Sequence, residues 1–213
     1  MSALDPRSLE VYVVTSSGLR PGRGHLEVGL AAIRGGASAV QLRAPELGDE
    51  ELVLLAEVLA PACAEANALC VVNDRVAVAA RVGCSAHVGQ DDRPEKARAV
   101  LGGSGYLGVS VADPAGAHDA EAAGADYLGV TVWSTPTKPE ARAVGLEGVR
   151  AIARSTSLPV VGIGGIHAAN APEVLDAGAA GVAVVSAVGA SDDPEAATRT
   201  LVEAVRGRKD GER

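Results

Sequence analysis

Aromatic residues are almost absent from this chain: they make up 2% of its 213 residues, and there is no phenylalanine. Such a chain has few ring faces on which the bases of a single-stranded nucleic acid could stack. The formal net charge is −8, with no block of lysine or arginine, which argues against a nucleic acid or an anionic membrane as partner. Any anion that the chain binds must therefore be held by a local cluster of positive groups.

Targeting and membrane signals are also missing. The first ten residues, "MSALDPRSLE", contain no apolar core of a signal peptide, and no apolar run approaches the roughly 18 residues of a membrane span. Cys63, Cys70 and Cys84 form no Cys-x-x-Cys pair, and their number is odd. We therefore expect a cytoplasmic protein whose cysteines are small buried thiols.

Short apolar runs alternate with helical patterns along the chain, which contains 47% hydrophobic residues. The runs predict strands at 11–15, 38–43, 69–73, 85–89, 106–110, 126–132, 158–164 and 181–186. The clearest helical patterns span about 49–67, 115–123, 146–155, 168–177 and 194–207. Near-continuous apolar strands that alternate with helices indicate a parallel sheet. The length favours one domain over 1–207, and we expect 208–213 to be a frayed tail.

The number of these units decides between two parallel-sheet folds. Glycine recurs just before several strands, as in "GGASAV" and "GADYLGV", which indicates the same helix-to-strand joint each time. Eight such units favour a closed (β/α)8 TIM barrel. An open doubly wound sheet is the alternative, but it would want Gly-x-Gly-x-x-Gly after the first strand, and "SSGLRPGRG" does not fit that pattern.

Polar side chains gather where the predicted strands end. In a barrel these ends form one mouth, and catalytic groups lie there. The candidates in chain order are Gln41, Arg43, Asn73, Asp74, His87, Gln90, Asp92, Ser110, Thr135, Thr137 and Lys138. The opposite ends of the same strands carry little polar chemistry, so we expect one active face.

A glycine-rich turn, "GIGGIH", follows the seventh strand and is predicted to open a helix at about Ala168. Gly164 and Gly165 would let backbone N–H groups approach an anion there. Together with Ser186, after the eighth strand, this predicts a phosphate site in a barrel. A tight turn without a ligand is the alternative.

Several of these side chains keep more than one interpretation. Asp74 and Asp92 follow neighbouring strands, where they could bind Mg²⁺, act as a general acid and base, or cap the next helices. Arg43 could contact a diphosphate or form a salt bridge with Glu46 or Asp49. His87 could be a catalytic base or an inward histidine held by hydrogen bonds. Gln90 could be only a turn residue, and Trp133 could simply pack.

These motifs, taken together and in order, resemble the thiamine-phosphate synthase family of small (β/α)8 barrels. The resemblance covers nearly the whole chain and rests on "VQLR", "VVNDR", "HVGQDD", "LGVS", "DYLGV", "TPTK", "VVGIGGI" and "GVAVVSA". It implies a transferase that joins 4-amino-2-methyl-5-hydroxymethylpyrimidine diphosphate to thiazole phosphate. The products would be thiamine phosphate and pyrophosphate.

The resemblance also implies a role for each matching position. Asp74 and Asp92 would hold Mg²⁺, and Gln41 would face the pyrimidine. The diphosphate would contact Arg43, Asn73 and Lys138, with Ser110 close to it. The thiazole phosphate would be held by Thr135, Thr137, Gly165, Val185 and Ser186. Among these, Ser110, Lys138 and Arg43 would act most directly in catalysis.

The chain departs from the family pattern at the second strand, where Pro45 stands in place of a lysine. Arg20, Arg23 and Arg142 are candidates to supply the missing cation. The missing lysine favours one alternative, a thiazole tautomerase. A non-catalytic phosphate-binding barrel is a second alternative. The expected partners are small molecules, with neither nucleic acid nor membrane, and a homo-oligomer remains open.

Overall fold

A computed structural model describes residues 3–89, 92–103, 105–135 and 142–211 of the chain. Eight parallel strands pair in chain order, and β8 closes on β1. They are β1 Val11–Val14, β2 Ala39–Leu42, β3 Leu69–Asn73, β4 Ser85–Val88, β5 Leu107–Val111, β6 Tyr127–Thr131, β7 Val160–Ile163 and β8 Gly181–Val184. The predicted closed barrel is thereby confirmed, and the open sheet is excluded.

Helices follow the strands on the outside of the barrel. They are α1 His25–Arg34, α2 Asp49–Glu65, α3 Val76–Val82, α4 Pro94–Leu101, α5 Pro114–Ala122, α6 Gly145–Ala153, α7 Ala171–Asp176, α8 Ser186–Gly189 and α9 Pro194–Gly211. A short 3₁₀ helix, Pro6–Leu9, precedes β1. The helix predicted to open at about Ala168 begins three residues later, because a turn from His167 to Asn170 comes first.

Two apolar clusters stabilise the barrel. One lies between the strands and the helices, and the other fills the barrel interior. The interior cluster consists of Leu9, Tyr12, Val14, Ala39, Val71, Tyr127, Val161 and Ala183. Burial of both strand faces explains why the strands read as continuous apolar runs.

The cysteines contribute to packing on the helix side of the strands. Cys63 on α2, Cys70 on β3 and Cys84 before β4 are buried and carry free thiols, as expected from the sequence. Hydrogen bonds with Cys63 and Cys84, together with burial, raise the pKa of the Cys70 thiol. In the described ranges, no helix is long and apolar enough to cross a membrane.

Candidate active site

A pocket opens at the carboxyl ends of the strands, with a volume of about 970 Å³ including its solvent-filled mouth. Most of the candidate residues predicted from the sequence line it. They are Gln41, Arg43, Asn73, His87, Ser110, Thr135, Gly164, Gly165, Val185 and Ser186. Thr137, Lys138 and Gln90 lie outside the described residues. The barrel therefore brings together side chains that are up to 145 positions apart in the sequence, from Gln41 to Ser186.

The end of β2 contributes one wall of the pocket. Gln41 is buried, and Arg43 is half-buried. Within the described ranges, the Arg43 guanidinium has no ion-pair partner, because Glu46 binds His25 and Asp49 binds Arg75. The alternative in which Arg43 pairs with either carboxylate is therefore wrong. A guanidinium without a carboxylate partner at a pocket is suited to bind an anion.

Pro45 occupies the second position of a turn, in which the N–H of Leu47 donates to the carbonyl of Ala44 at 3.2 Å. Proline is well suited to this position because its ring fixes φ near the required value. The turn carries Glu46 towards His25 on α1, whose Nε2 lies 2.7 Å from Glu46 Oε1. Pro45 thus shapes the loop beside Arg43.

The other nitrogen of His25, Nδ1, lies 2.9 Å from Thr15 Oγ1. Through these two contacts, Thr15, His25 and Glu46 resemble a nucleophilic triad. Thr15, however, is 0% exposed and cannot reach a substrate. Thr15 Oγ1 instead accepts a hydrogen bond from the backbone N–H of Arg43 at 3.3 Å. The three side chains therefore fix the backbone at the end of β2.

The two candidate metal ligands lie in the loops after β3 and β4, and both are exposed. The Asp74 N–H donates to the His87 carbonyl at 2.8 Å, which ties these two strand ends together. Asp74 has a φ of 59°, in the left-handed region that aspartate tolerates better than most residues. Asp92 Oδ2 accepts from the Gly89 N–H at 2.7 Å.

Neither carboxylate caps a helix. The N-cap positions of α3 and α4 are Arg75 and Arg93, and neither helix has a side-chain cap hydrogen bond. The capping interpretation of Asp74 and Asp92 is therefore wrong. In the described part of the chain, no group of three or more His, Cys, Asp or Glu side chains forms a metal site. A pair of exposed carboxylates still fits Mg²⁺, which keeps several waters and takes one or two protein carboxylates.

The turn after β7 requires its glycines. Gly164 and Gly165 have φ values of 97° and 67°, and a Cβ on Gly164 would lie 2.5 Å from the Trp133 carbonyl oxygen. Asn170 braces the turn, since its Nδ2 donates to the Gly165 carbonyl at 3.0 Å. Within the described residues, the Gly165 N–H and the Ser186 hydroxyl have no hydrogen-bond partner, so both are available at the pocket.

Sequence reasoning missed two side chains of the pocket floor, Tyr12 and Tyr127. Their hydroxyls are 2.9 Å apart, and Gln41 Nε2 donates to the Tyr12 hydroxyl at 2.7 Å. His87 is held between the Tyr127 hydroxyl, 3.2 Å from Nδ1, and Ser110 Oγ, 3.0 Å from Nε2. Of the two interpretations of His87, the structure thus supports the inward, hydrogen-bonded one. Burial raises the pKa of both tyrosines, so both hydroxyls keep their protons at neutral pH.

The three arginines considered as substitutes for the missing lysine have other partners. Arg20 forms a salt bridge with Asp192, and Arg142 lies 3.5 Å from Asp113. Arg23 binds Glu27, the carbonyl at the end of α8, and two carbonyls between α8 and α9. None of the three lines the pocket. Arg43 is therefore the one arginine or lysine among the described residues that lines it.

A closed eight-stranded barrel whose strand ends surround a pocket that contains polar side chains is the architecture of the (β/α)8-barrel enzymes. The family model described as thiamine monophosphate synthase matches residues 11–188. The chain belongs to this family. Its expected resemblance to thiamine-phosphate synthases is thereby confirmed.

Individual relatives agree with this assignment. A thiamine-phosphate synthase of Roseiflexus sp. (strain RS-1) is 45% identical over 195 residues, which cover 90% of this chain and 83% of that protein. The thiamine-phosphate synthase of Natronomonas pharaonis is 46% identical over 203 residues, 92% of this chain and 95% of its own. The solved structure of thiamine phosphate pyrophosphorylase from Pyrococcus furiosus superimposes with a TM-score of 0.87 at 37% identity, covering 95% and 98% of the two chains.

Proposed function

We propose that this chain is a thiamine-phosphate synthase, a transferase that joins a pyrimidine diphosphate to thiazole phosphate and releases pyrophosphate. The observation that carries the proposal is a single pocket lined both by Gln41, Arg43, Asn73 and Ser110 and by Gly165 and Ser186. The first group suits an aminopyrimidine with its diphosphate. The second offers an N–H and a hydroxyl to a phosphate on the opposite wall. The two substrates would therefore meet inside one barrel mouth.

The reaction breaks one C–O bond and forms one C–N bond. The electron pair of the C–O bond leaves with pyrophosphate, and the thiazole nitrogen then supplies a pair to the pyrimidine methylene carbon. No protein nucleophile is needed. The Arg43 guanidinium and the Asn73 amide would bind the departing diphosphate, which places stabilising charge where negative charge develops. The pocket would hold the thiazole in line with the methylene carbon.

Asp74 and Asp92 are the residues that would hold Mg²⁺ in this scheme. A bound Mg²⁺ would neutralise charge on the diphosphate. Both carboxylates are exposed and are free of a helix-capping role, which supports this assignment. Thr135 lines the pocket beside the proposed phosphate site, whereas Thr137 and Lys138 stay proposals drawn from the family pattern. We also propose a cytoplasmic location, in which the three free thiols stay reduced.

The test is to incubate the protein with both substrates and Mg²⁺ and to assay for thiamine phosphate. We expect product that disappears with EDTA and returns with added Mg²⁺. Folded protein that makes no product would overturn the proposal, and product insensitive to EDTA would overturn the Mg²⁺ assignment. Turnover of the thiazole carboxylate phosphate alone, without metal, would instead support the tautomerase alternative. Ligand-dependent thermal stabilisation without conversion would support the non-catalytic barrel.

A further inference from the structure

The pairing between β1 and β2 ends on a side chain. The Thr15 N–H donates to the Gln41 carbonyl at 2.9 Å, as in a regular parallel ladder. The next step of such a ladder would bring the Arg43 N–H to the carbonyl of Thr15. The Thr15 hydroxyl takes that place instead, and its Oγ1 accepts from the Arg43 N–H at 3.3 Å. The backbone of Arg43, one residue beyond the end of β2, is therefore held by the side chain that follows β1.

The same hydroxyl is also connected to the turn after β2. Thr15 Oγ1 lies 2.9 Å from His25 Nδ1, and His25 Nε2 lies 2.7 Å from Glu46 Oε1. Arg43 directly precedes the turn that contains Pro45, and Glu46 lies within that turn. Two side chains of the preceding β–α unit thus hold both the backbone before the turn and a side chain inside it. We call Thr15 and His25 the turn clamp.

Burial makes the turn clamp rigid. Thr15 is 0% exposed and His25 is 7% exposed. A buried hydroxyl or imidazole that lost its partner would cost free energy, so each of these contacts favours the observed arrangement. Pro45 restricts the chain further, because its ring fixes φ in the middle of the segment. The backbone from 43 to 46 consequently has few alternative positions.

The side chain that leaves this fixed backbone at residue 43 carries the charge of the pocket. The Arg43 guanidinium lines the pocket, and no other arginine or lysine among the described residues does so. A guanidinium binds phosphate oxygens through a planar fork of N–H groups, so its direction matters as well as its charge. Because the arginine side chain is long, a small rotation of its backbone moves the guanidinium much farther. The position of the Arg43 backbone therefore decides where the cation can reach.

Resting on the proposed function, we propose that Thr15 and His25 are positioning residues of the transferase, which fix the Arg43 backbone so that its guanidinium meets the departing diphosphate. Neither side chain of the turn clamp lines the pocket, so both act through Arg43. Misplacement of a binding group by about 1 Å can cost up to about 100-fold in rate. A purely structural role would instead lower the stability of the barrel without a specific effect on the diphosphate.

Binding of pyrophosphate with Mg²⁺, measured by calorimetry, tests the proposal without turnover. Thr15→Val replaces the hydroxyl with a methyl group of similar size and should weaken pyrophosphate binding on the order of tenfold. Thr15→Ser keeps an acceptor for the Arg43 N–H and should restore the affinity to within about threefold of wild type. The matched control is Thr198→Val on α9, because Thr198 is also 0% exposed and its hydroxyl donates to the Pro194 carbonyl at 2.7 Å. This control should keep the wild-type affinity.

A double variant separates positioning from general destabilisation. If Thr15 acts through Arg43, Thr15→Val should weaken pyrophosphate binding in the wild-type background and have little further effect in the Arg43→Ala background. Pyrophosphate is titrated to millimolar concentrations so that weak binding is also measured. Wild-type affinity in folded Thr15→Val would overturn the proposal, and so would an equal loss in both backgrounds.

Hydrogen exchange in the wild-type protein does not depend on any variant folding. The Arg43 amide lies beyond β2, yet it should exchange as slowly as the amides within β2, because it donates to a buried hydroxyl. Exchange at the rate of an unfolded peptide would overturn the turn clamp. The proposed function fails in a different way: wild-type protein that binds pyrophosphate but forms no thiamine phosphate from both substrates would overturn the proposed function alone.

Discussion

His25 Nε2 lies 2.7 Å from Glu46 Oε1, and this contact joins the start of α1 to the turn that follows β2. The histidine is 7% exposed, so its ring is fixed by the surrounding core. The turn formed by Pro45 thereby has an anchor on a neighbouring unit of the barrel. This anchor holds the backbone next to Arg43, the cationic wall of the pocket.

The first prediction concerns the acid sensitivity of this contact. Burial raises the pKa of Glu46, but hydrogen bonds, above all the one from His25, outweigh it and leave the pKa below the ordinary value of 4.5. A lowered pKa in the folded state gives stability that is present above pH 4.5 and is lost as the pH falls through the lower folded-state value. As the pH falls below 4.5, the unfolding free energy of Glu46→Gln should therefore decline less than that of the wild-type protein.

Urea unfolding of Glu46→Gln and wild-type protein at a series of pH values would measure this difference. Glu203→Gln is a suitable control because Glu203 is exposed on α9 and has no ion-pair partner among the described residues. It should keep the wild-type acid dependence. Identical pH profiles for Glu46→Gln and wild type would contradict the assignment.

A second prediction concerns the room inside the barrel. Gly108→Ala places a methyl group 2.2 Å from Tyr127 Cζ, so the ring or the strand must move. Overpacking of this kind costs about 1–3 kcal/mol of unfolding free energy. Gly103→Ala is the control, because a Cβ there meets nothing within 4 Å. Chemical denaturation would measure the unfolding free energy of both variants. Equal values for the two would contradict the described packing of Tyr127.

The third prediction separates the cation in the pocket from those outside it. Arg43→Ala should raise the KM for the pyrimidine diphosphate by about tenfold or more, since it removes a charge-assisted contact. Arg20→Ala removes an arginine on the same mouth that is already paired with Asp192, and it should change this KM by less than about twofold. Steady-state kinetics at a saturating concentration of the thiazole phosphate would compare this KM in the two variants. If Arg20→Ala raised this KM as much as Arg43→Ala, Arg20 would also contact the diphosphate, which would contradict its pairing with Asp192.

The fourth prediction concerns Asp92. Asp92→Asn keeps an oxygen that accepts from the Gly89 N–H but removes the charge that would hold Mg²⁺. We expect activity at a fixed Mg²⁺ concentration to fall about 100-fold, with the melting temperature within about 2 °C of wild type. Asp119→Asn, an exposed position on α5, should change neither quantity. Near-full activity of Asp92→Asn would remove Asp92 from the metal site.

The fold and the positions at the strand ends could be predicted because their signals are local. Each strand is one short apolar run, and the shared strand–helix order brings all their carboxyl ends to one mouth. The pocket floor could not be predicted in the same way. Tyr12 and Tyr127 lie in strands that are buried on both faces, so the apolar pattern does not reveal which side chains point inward. The sequence "YLGV" occurs at both β5 and β6, and the glycine of each copy leaves space for the ring of His87. This role depends on packing between strands, which the sequence pattern does not show.

The sequence also predicts helix boundaries and side-chain partners less well, because both depend on contacts that a local pattern does not show. The start of α7 is displaced from Ala168 to Ala171 because Asn170 accepts a hydrogen bond from the His167 N–H and stabilises the preceding turn. The absence of helix caps at Asp74 and Asp92 depends on where α3 and α4 begin, which sequence patterns locate only to within a few residues. The pairing of Arg20 with Asp192 joins residues far apart in the chain.

The measurement that tests the central claim most directly is the stoichiometry of the products. Wild-type protein with both substrates and Mg²⁺ should form thiamine phosphate and pyrophosphate in equal amounts in the same sample, because one C–O bond breaks for each C–N bond formed. Pyrophosphate released without thiamine phosphate would show hydrolysis of the diphosphate instead of transfer. That result would contradict a pocket in which the two substrates meet.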